Sequence, residues 1–386
     1  MFKVTFSFED GSMVETFANA GDNLLEVARS ANVAIDAPCS GNGACGKCRV
    51  QLKSGELESK KTLHISDEEY QAGWRLSCCS KISADVNVLV PDIASAYKSR
   101  MKVADLSSKE EIAIFENAKS DIQLAGIELK NSLEVVDVLM DVPSLDDTMP
   151  DNERLTRALR KYLNINRVRI PYVVLKKLPD VLRENNFAVK CVIRATSDDM
   201  YVYDIFGKDE DVVIGGLAID IGTTTVSAVL INMENGEILA KSSAGNGQIR
   251  FGADVINRIV ESQKPGGQKK LQDAVIKETI NPMIHEMCKS AKFPKDHIYR
   301  MCVASNTTMN HLFAGINADP LLTEPDIPAF FKTNSLFASD VGVDINKDAH
   351  IIMAPNIGSY VGGDITAGTL VSQIWNRPEF SLFIDL

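Results

Sequence analysis

Apolar and polar positions alternate over Lys3–Phe8 and again over Met13–Phe17, on either side of Asp10-Gly11-Ser12, which predicts two strands and a turn. Leu24, Leu25, Val27 and Ala28 then bring apolar residues together at helical spacing. Alternation returns over Arg49–Lys53, closed by a Ser54-Gly55 turn. Ser66-Asp67-Glu68-Glu69 reads as a capping box that opens a short helix leading to Trp74. Val86, Val88 and Val90 predict a last strand, ended by Pro91, so residues 1 to about 94 read as a small β-rich domain.

Residues 95–130 are polar. Ser108-Lys109-Glu110-Glu111 has capping-box spacing, and Ile112, Phe115 and Ala118 make only a narrow apolar stripe, so the segment reads as a solvated helical linker. A mixed unit follows over residues 131–207. Val135–Leu139 predicts a strand, and Leu155, Ala158, Leu159 and Tyr162 an amphipathic helix. Pro179 is read as the start of a second, short helix ending at Asn185-Asn186, before strands over Phe187–Ile193 and Tyr201–Ile205. No ligand constellation stands out in this unit. From 208 onward a hydrophobic strand runs through Leu217 to Ile221, turns at Gly222–Thr224, and returns over Val226–Ile231 to Asn235-Gly236.

The chain of 386 residues has room for two to four domains. Its net charge of −11 argues against a nucleic-acid partner, because neutralising phosphates needs a basic face. No apolar run reaches the 18 or so residues of a membrane span, and the amino terminus lacks a signal peptide's unbroken apolar core. Eight cysteines without such a signal suggest reduced thiols and the cytoplasm. Cys191, Cys288 and Cys302, scattered among apolar residues, read as buried small hydrophobes.

Chemistry concentrates at Pro38–Cys48, where Cys39, Cys45 and Cys48 form a Cys-x5-Cys-x2-Cys run with Gly41, Gly43 and Gly46 between them. A fourth thiol returns in Arg75-Leu76-Ser77-Cys78, with Cys79 beside it. Three thiols in one glycine-rich loop and one from afar suit a [2Fe–2S] cluster: glycines leave room for bridging sulfides and let backbone N–H groups face the sulfurs. Structural zinc favours two Cys-x2-Cys pairs or added histidines, and a disulfide framework fits such crowding poorly.

A second site is Asp220-Ile221-Gly222-Thr223-Thr224-Thr225. Backbone N–H groups around Gly222 and the threonine hydroxyls suit the β- and γ-phosphates of a nucleotide, and Asp220 suits hydrated Mg²⁺. A plain structural hairpin with a solvated Asp is the alternative. The motif is no Walker loop, since it lacks Gly-Lys-Ser/Thr and leads into a strand. Ser305–His311 and Gly358–Gly368 are further hydroxyl- and glycine-rich turns, each weak alone. Asn306 and Thr307 suit the capping of a helix that begins near Met309. Asp364 suits either a helix N-cap or an acid that orients an attacking water. His311 reads as a packed or solvent-facing histidine, and the 245–256 stretch as a loop entering a helix.

The cysteine loop is one residue longer than the plant-type spacing and resembles adrenodoxin-like and corrinoid-activator ferredoxin loops. Arg-Leu-Ser-Cys resembles the Arg-Leu-Ala-Cys of that family, which implies Cys78 rather than Cys79 as fourth ligand. The cysteine loop, the linker, the middle unit, the 220–225 hairpin, Asn306-Thr307-Thr308-Met309 and Val361-Gly362-Gly363-Asp364 together resemble the reductive activators of corrinoid enzymes, across essentially the whole chain. That resemblance implies a multidomain α+β protein. Residues 1–94 would be a β-grasp [2Fe–2S] ferredoxin, 95–130 a helical linker and 131–207 a small α/β middle domain. Residues 208–386 would be the first half of an actin-like (ASKHA, ribonuclease H-like) α/β ATPase domain. The family's second phosphate turn and its adenosine-binding residues lie beyond Asp385, so the chain reads as a fragment expected to be inactive as it stands, and the activity implied is that of the full-length protein. The implied activity is ATP-dependent transfer of an electron from the cluster to Co(II) of a corrinoid protein, regenerating Co(I). It would use ATP and Mg²⁺, an upstream electron donor and, for a full-length protein, a homodimer. The implied residues are Cys39, Cys45, Cys48 and Cys78 for the cluster, and Gly222, Thr223, Thr224, Thr225 and Asp385 for the nucleotide, with Asp220 and Asp364 catalytic. Two other classes remain: a ferredoxin-type carrier whose C-terminal part only docks a partner, and a sugar or acyl kinase with an appended redox sensor.

Overall fold

The computed structural model describes residues 1–91, 109–129, 132–333 and 336–384, apart from positions 9, 10, 12, 32, 34, 36, 38–40, 42, 44, 45, 164 and 197, and without the side chains of 109–112 and 163. Cys39, Cys45 and Asp385 therefore lie outside the described residues, as does Ser108 of the linker capping box.

The first unit contains β1 (Phe2–Phe8), β2 (Met13–Ala18), α1 (Leu24–Ser30), β3 (Arg49–Ser54), β4 (Leu57–Ser59), α2 (Asp67–Gln71), β5 (Trp74–Leu76), β6 (Ser80–Ile82) and β7 (Val86–Val90). Its main sheet runs β2-β1-β7-β3-β5. The last strand is thus central, parallel to β1 (Val4 opposite Val86) and antiparallel to β3. Val4, Phe6, Val88 and Val90 point inward by the strand's alternation and cover Leu24, Leu25 and Ala28 of the helix. Asn23 caps α1 by accepting from the N–H groups of Leu25 and Glu26. The Ser66–Glu69 capping box is present in full.

The linker helix α3 (Lys109–Leu124) is largely exposed, with Ile122 buried. The middle unit comprises β8 (Leu133–Leu139), α4 (Asp151–Leu163), β9 (Arg167–Arg169), α5 (Tyr172–Glu184), β10 (Ala188–Ala195) and β11 (Asp199–Gly207), with sheet order β8-β10-β11-β9. Pro179 lies inside α5 rather than at its start, and Pro171 occupies the N-cap. Val174, Leu178 and Leu182 recur every four residues and are fully buried. Pro179 itself is exposed, so the hydrogen bond it forgoes faces solvent, and burial of the apolar stripe outweighs that loss.

The third unit holds β12 (Gly215–Ile221), β13 (Thr225–Asn232), β14 (Ile238–Gly245), α6 (Val255–Ser262), α7 (Gly267–Val275), a π-helical turn (Ile276–Ile280) and α8 (Asn281–Ala291). These are followed by β15 (Ile298–Ser305), α9 (Thr307–Ala314), β16 (Leu336–Phe337), α10 (Ala338–Val341), β17 (His350–Met353) and α11 (Gly363–Ser372). The mixed sheet β14-β13-β12-β15-β17-β16 packs one face on the helices through Ile219, Leu230, Val303, Ile284 and Phe313. Cys302 departs from the buried reading. Alternation along β15 turns Met301 and Val303 inward and leaves Cys302 exposed, whereas Cys191 and Cys288 are buried. The middle and third units share an apolar seam of Leu133, Val192, Tyr203, Phe206, Ile214 and Tyr299. Tyr299 Oη donates to Asp204 at 3.2 Å across that seam, and Tyr203 Oη meets His350 Nδ1 at 2.7 Å.

Candidate functional site

Two loops carry the chemistry. In the first unit, pairing of Arg49 with Leu76 brings the start of β3 beside the end of β5. Cys48 and Cys78 flank that rung, with their Sγ atoms 3.2 Å apart. This is far too long for a disulfide at about 2.0 Å. It approaches the roughly 3.8 Å between two sulfurs on one tetrahedral ion with metal–sulfur bonds of about 2.3 Å. The Ser77 N–H donates to the Cys48 carbonyl, and Asn23 Nδ2 donates to the Cys78 carbonyl at 2.8 Å, fixing both ligand backbones. Cys79 Sγ lies 3.6 Å from Cys78 Sγ and against the loop at Gly43, where a Cβ would sit 3.3 Å from it.

Gly46, with φ of +67°, packs so tightly that a Cβ would sit 2.6 Å from the His64 side chain. Gly41, with φ of +90°, faces Leu25 and Cys78. The loop thus needs glycine for both its turn and its closeness to the thiols. The hydrogen bond with Cys78 lowers the Cys48 thiol to about 6, and the same hydrogen bond, then burial and the negative charge on Cys48, push Cys78 upward. Two thiolates this close repel one another unless a cation lies between them, so the pair fits an iron ion. Among the described residues no three ligating side chains converge, and Cys39 and Cys45 lie outside them.

The second loop is the β12–β13 hairpin. The Gly222 N–H donates to the Thr225 carbonyl at 2.9 Å, and a Cβ on Gly222 would approach that oxygen to 2.7 Å, so the turn is closed tightly. Asp220, two residues before the turn, is exposed. Parallel pairing of β12 with β15 sets Ile221 opposite Ser305, which brings the N-cap of α9, Asn306, to the hairpin. Asn306 Nδ2 donates to Thr223 Oγ1 at 3.4 Å, and its Oδ1 accepts from the Met309 N–H. The helix starts at Thr307, two residues before the expected position. Gly362, at the N-cap of α11, approaches so closely that a Cβ would be 2.3 Å from Asn306 Cα. Two turns that were weak signals separately therefore converge on Gly222–Thr224, with the N-termini of two helices beside them, an arrangement suited to anions. Asp364 sits in the first turn of α11, half-buried, its Oδ1 accepting from the Ile365 N–H.

His311 is packed, with no exposure. Its Nδ1 donates to the Thr307 carbonyl at 2.7 Å and its Nε2 accepts from the Ala329 N–H at 3.0 Å, a pattern that requires the neutral ring. Burial accordingly lowers its pKa.

Sequence reasoning passed over Asn246 and Arg258. Asn246 Nδ2 donates to the Gly222 carbonyl at 2.9 Å, and its N–H to the Thr224 carbonyl at 2.8 Å. Fully buried Arg258 donates to the Thr223 carbonyl and to Gln248 Oε1. The signal was an arginine on the inward face of an apolar helix, where an unpaired charge is costly.

A ferredoxin-like thiol loop, joined to a domain whose glycine–threonine hairpin meets the start of a helix, marks an iron–sulfur electron-transfer protein. Residues 7–83 match the family described as 2Fe-2S iron-sulfur cluster binding domain, residues 122–212 the RACo linker region and residues 215–377 the RACo middle region. These three matches follow one another in order between residues 7 and 377, and the chain is similar over that length to reductive activators of corrinoid proteins. The corrinoid activation enzyme RamQ of Eubacterium limosum is 27% identical over 94% of this chain and 54% of its own length. A solved structure, the reductive activator for corrinoid, iron-sulfur protein, is 31% identical with a TM-score of 0.59, covering 98% of this chain and 59% of that one. The chain thus spans a little over half the length of these relatives. One polypeptide of the Na(+)-translocating NADH-quinone reductase of Actinobacillus succinogenes is 35% identical over 23% of this chain and 22% of its own length. Among the described residues no helix is long and apolar enough to cross a membrane.

Proposed function

We propose that this chain is the electron-donating and phosphate-binding part of an ATP-dependent activator that returns corrinoid Co(II) to Co(I). The observation that carries the reading is the juxtaposition within one chain of the Cys48–Cys78 pair and the hairpin flanked by Asn306 and Gly362. Bound in its loop, the cluster supplies one electron at low potential. Cys39, Cys45, Cys48 and Cys78 hold it, and the glycine-rich backbone shields it from water. Gly222, Thr223, Thr224 and Thr225 hold the phosphates of ATP, and Asp220 orients hydrated Mg²⁺. Asp364 positions the attacking water, and Asp385 adds a nucleotide contact. The third unit is the first half of an ASKHA-type ATPase domain. The substrate is the cobalt of a corrinoid protein, whose Co(II) takes up one electron as ATP gives ADP and phosphate. ATP binding does its work by favouring the complex in which the cobalt is more easily reduced. The upstream donor is a second redox protein, the compartment the cytoplasm, and the assembly a homodimer.

The test is anaerobic. The reconstituted chain, reduced with dithionite, is expected to give an S = 1/2 EPR signal of a [2Fe–2S] cluster. Mixed with a Co(II) corrinoid protein, the full-length protein should show Co(I) formation that depends on Mg-ATP. A colourless, EPR-silent protein carrying zinc would overturn the reading. Cluster cycling with corrinoid reduction indifferent to ATP would leave a plain ferredoxin carrier with a docking domain.

A further inference from the structure

Arg29, on the ferredoxin helix α1, is 4% exposed and buries its guanidinium in the third unit rather than in its own domain. Its Nε donates to the Arg250 carbonyl at 2.7 Å and its Nη2 to the Phe251 carbonyl at 3.4 Å. Its Nη1 donates to Glu26 Oε1 at 2.8 Å and lies 3.9 Å from Glu261 Oε2. Glu261, 2% exposed, is paired with Lys264 at 2.6 Å. A guanidinium withdrawn from water this completely holds its place only with such partners, so the contact is a built joint.

The carbonyls that receive Arg29 belong to the 246–252 loop, which is tied at its other end to the phosphate hairpin. Asn246 bonds the Gly222 and Thr224 carbonyls. Arg258 bonds the Gly252 carbonyl at 2.9 Å and, through its other nitrogens, Gln248 and the Thr223 carbonyl. At the opposite end of α1, Asn23 both caps the helix and bonds the Cys78 carbonyl. A continuous chain of hydrogen bonds and one rigid helix therefore runs from the cluster turn to the hairpin.

We propose that Arg29 is a positioning residue that seats the cluster-bearing domain on the 246–252 loop, so that the seating of this domain and the conformation of the phosphate hairpin form one coupled equilibrium. Its meaning for ATP rests on the phosphate reading above, whereas the coupling itself does not. Coupling of this kind is reciprocal: whatever the hairpin does to the seating, the seating does to the hairpin in equal measure.

Hydrogen exchange read by mass spectrometry on the full, cluster-loaded chain tests it without nucleotide. Arg29→Ala should speed exchange about tenfold over 24–31 and, across the joint, over 222–226 and 246–252. Asn246→Ala, made at the far end, should speed exchange over 24–31. Arg29→Lys should fall between wild type and Arg29→Ala, and an unchanged visible spectrum shows that the ferredoxin domain remains folded in each variant. Should Arg29→Ala alter 24–31 alone, or Asn246→Ala leave 24–31 untouched, the coupling is overturned. A parallel sample of the full-length wild-type protein with Mg-ATP separates the two claims. Lack of protection at 222–226 with reciprocal mutant effects intact would sink the phosphate reading and keep the joint, and the converse would sink the joint alone.

Discussion

The cysteine turn and the Gly222–Thr224 hairpin both lie at the ends of strands, yet on the proposed reading they would hold their ligands by opposite means. Around Cys48 and Cys78 the chemistry lies in side chains, and the backbone, pinned by Asn23 and Ser77, only presents them. At Gly222–Thr224 the backbone and short hydroxyls would be the chemistry. Their placement depends on Asn246, Arg258, Asn306 and Gly362, which come from four other segments. A side-chain site can be lost through one atom, whereas a backbone site is lost by displacing a neighbour.

The largest effect tests the first half of that contrast. Cys78→Ser is expected to abolish the reduced EPR signal and Cys79→Ser to leave it in place; the reverse result would transfer the ligand role to Cys79. For the backbone site, Gly222→Ala introduces a methyl 2.7 Å from the Thr225 carbonyl while removing no ligand atom. Urea unfolding should show a loss of about 1–3 kcal/mol. Titration calorimetry on the full-length protein should show Mg-ATP affinity at least tenfold weaker, a loss of about 1.4 kcal/mol, with the iron–sulfur spectrum unchanged.

A third, smaller effect is pH-dependent and belongs to the third unit. Burial, with the nearby charges of Arg194 and Arg300, lowers His350 to about 4, and burial also lowers His297 and His311. Each binds a proton more readily unfolded than folded, so their contribution is fully present above about pH 6.5 and declines as pH falls from there toward 4. Urea midpoints at pH 7 and 5 should differ in that direction, and His350→Gln should reduce the difference. The smallest expected effect sharpens the first site: Asn23→Ala removes a helix cap, about 1 kcal/mol by urea unfolding, and frees the Cys78 carbonyl.

The same contrast governs what the bare sequence revealed. Thiols at ligand spacing, the Ser66 capping box and the alternating valines of β7 announce themselves because identity and local period carry the information. The reading of Pro179 as a helix start failed because local propensity yielded to the burial of Val174, Leu178 and Leu182. The three-residue strand β9 is too short for any period to mark. Cys302 was misjudged because neighbouring apolar residues do not say which face of the sheet a position takes. Arg29, Asn246 and Arg258 stayed hidden because their partners are backbone carbonyls, which every residue possesses and no sequence displays.

The position of β7 bears on how the protein is made. The strand that lies between β1 and β3 is the last of its domain to be synthesised. While the chain grows on the ribosome, the β1–β2 hairpin and the β3–β5 pair have no strand between them to join them. The sheet closes only once Val90 has left the exit tunnel, and β3, which follows Cys48, gains its second neighbour at that moment. Loading of iron into a completed site is therefore an event of the whole domain's emergence, later than the appearance of the last thiol.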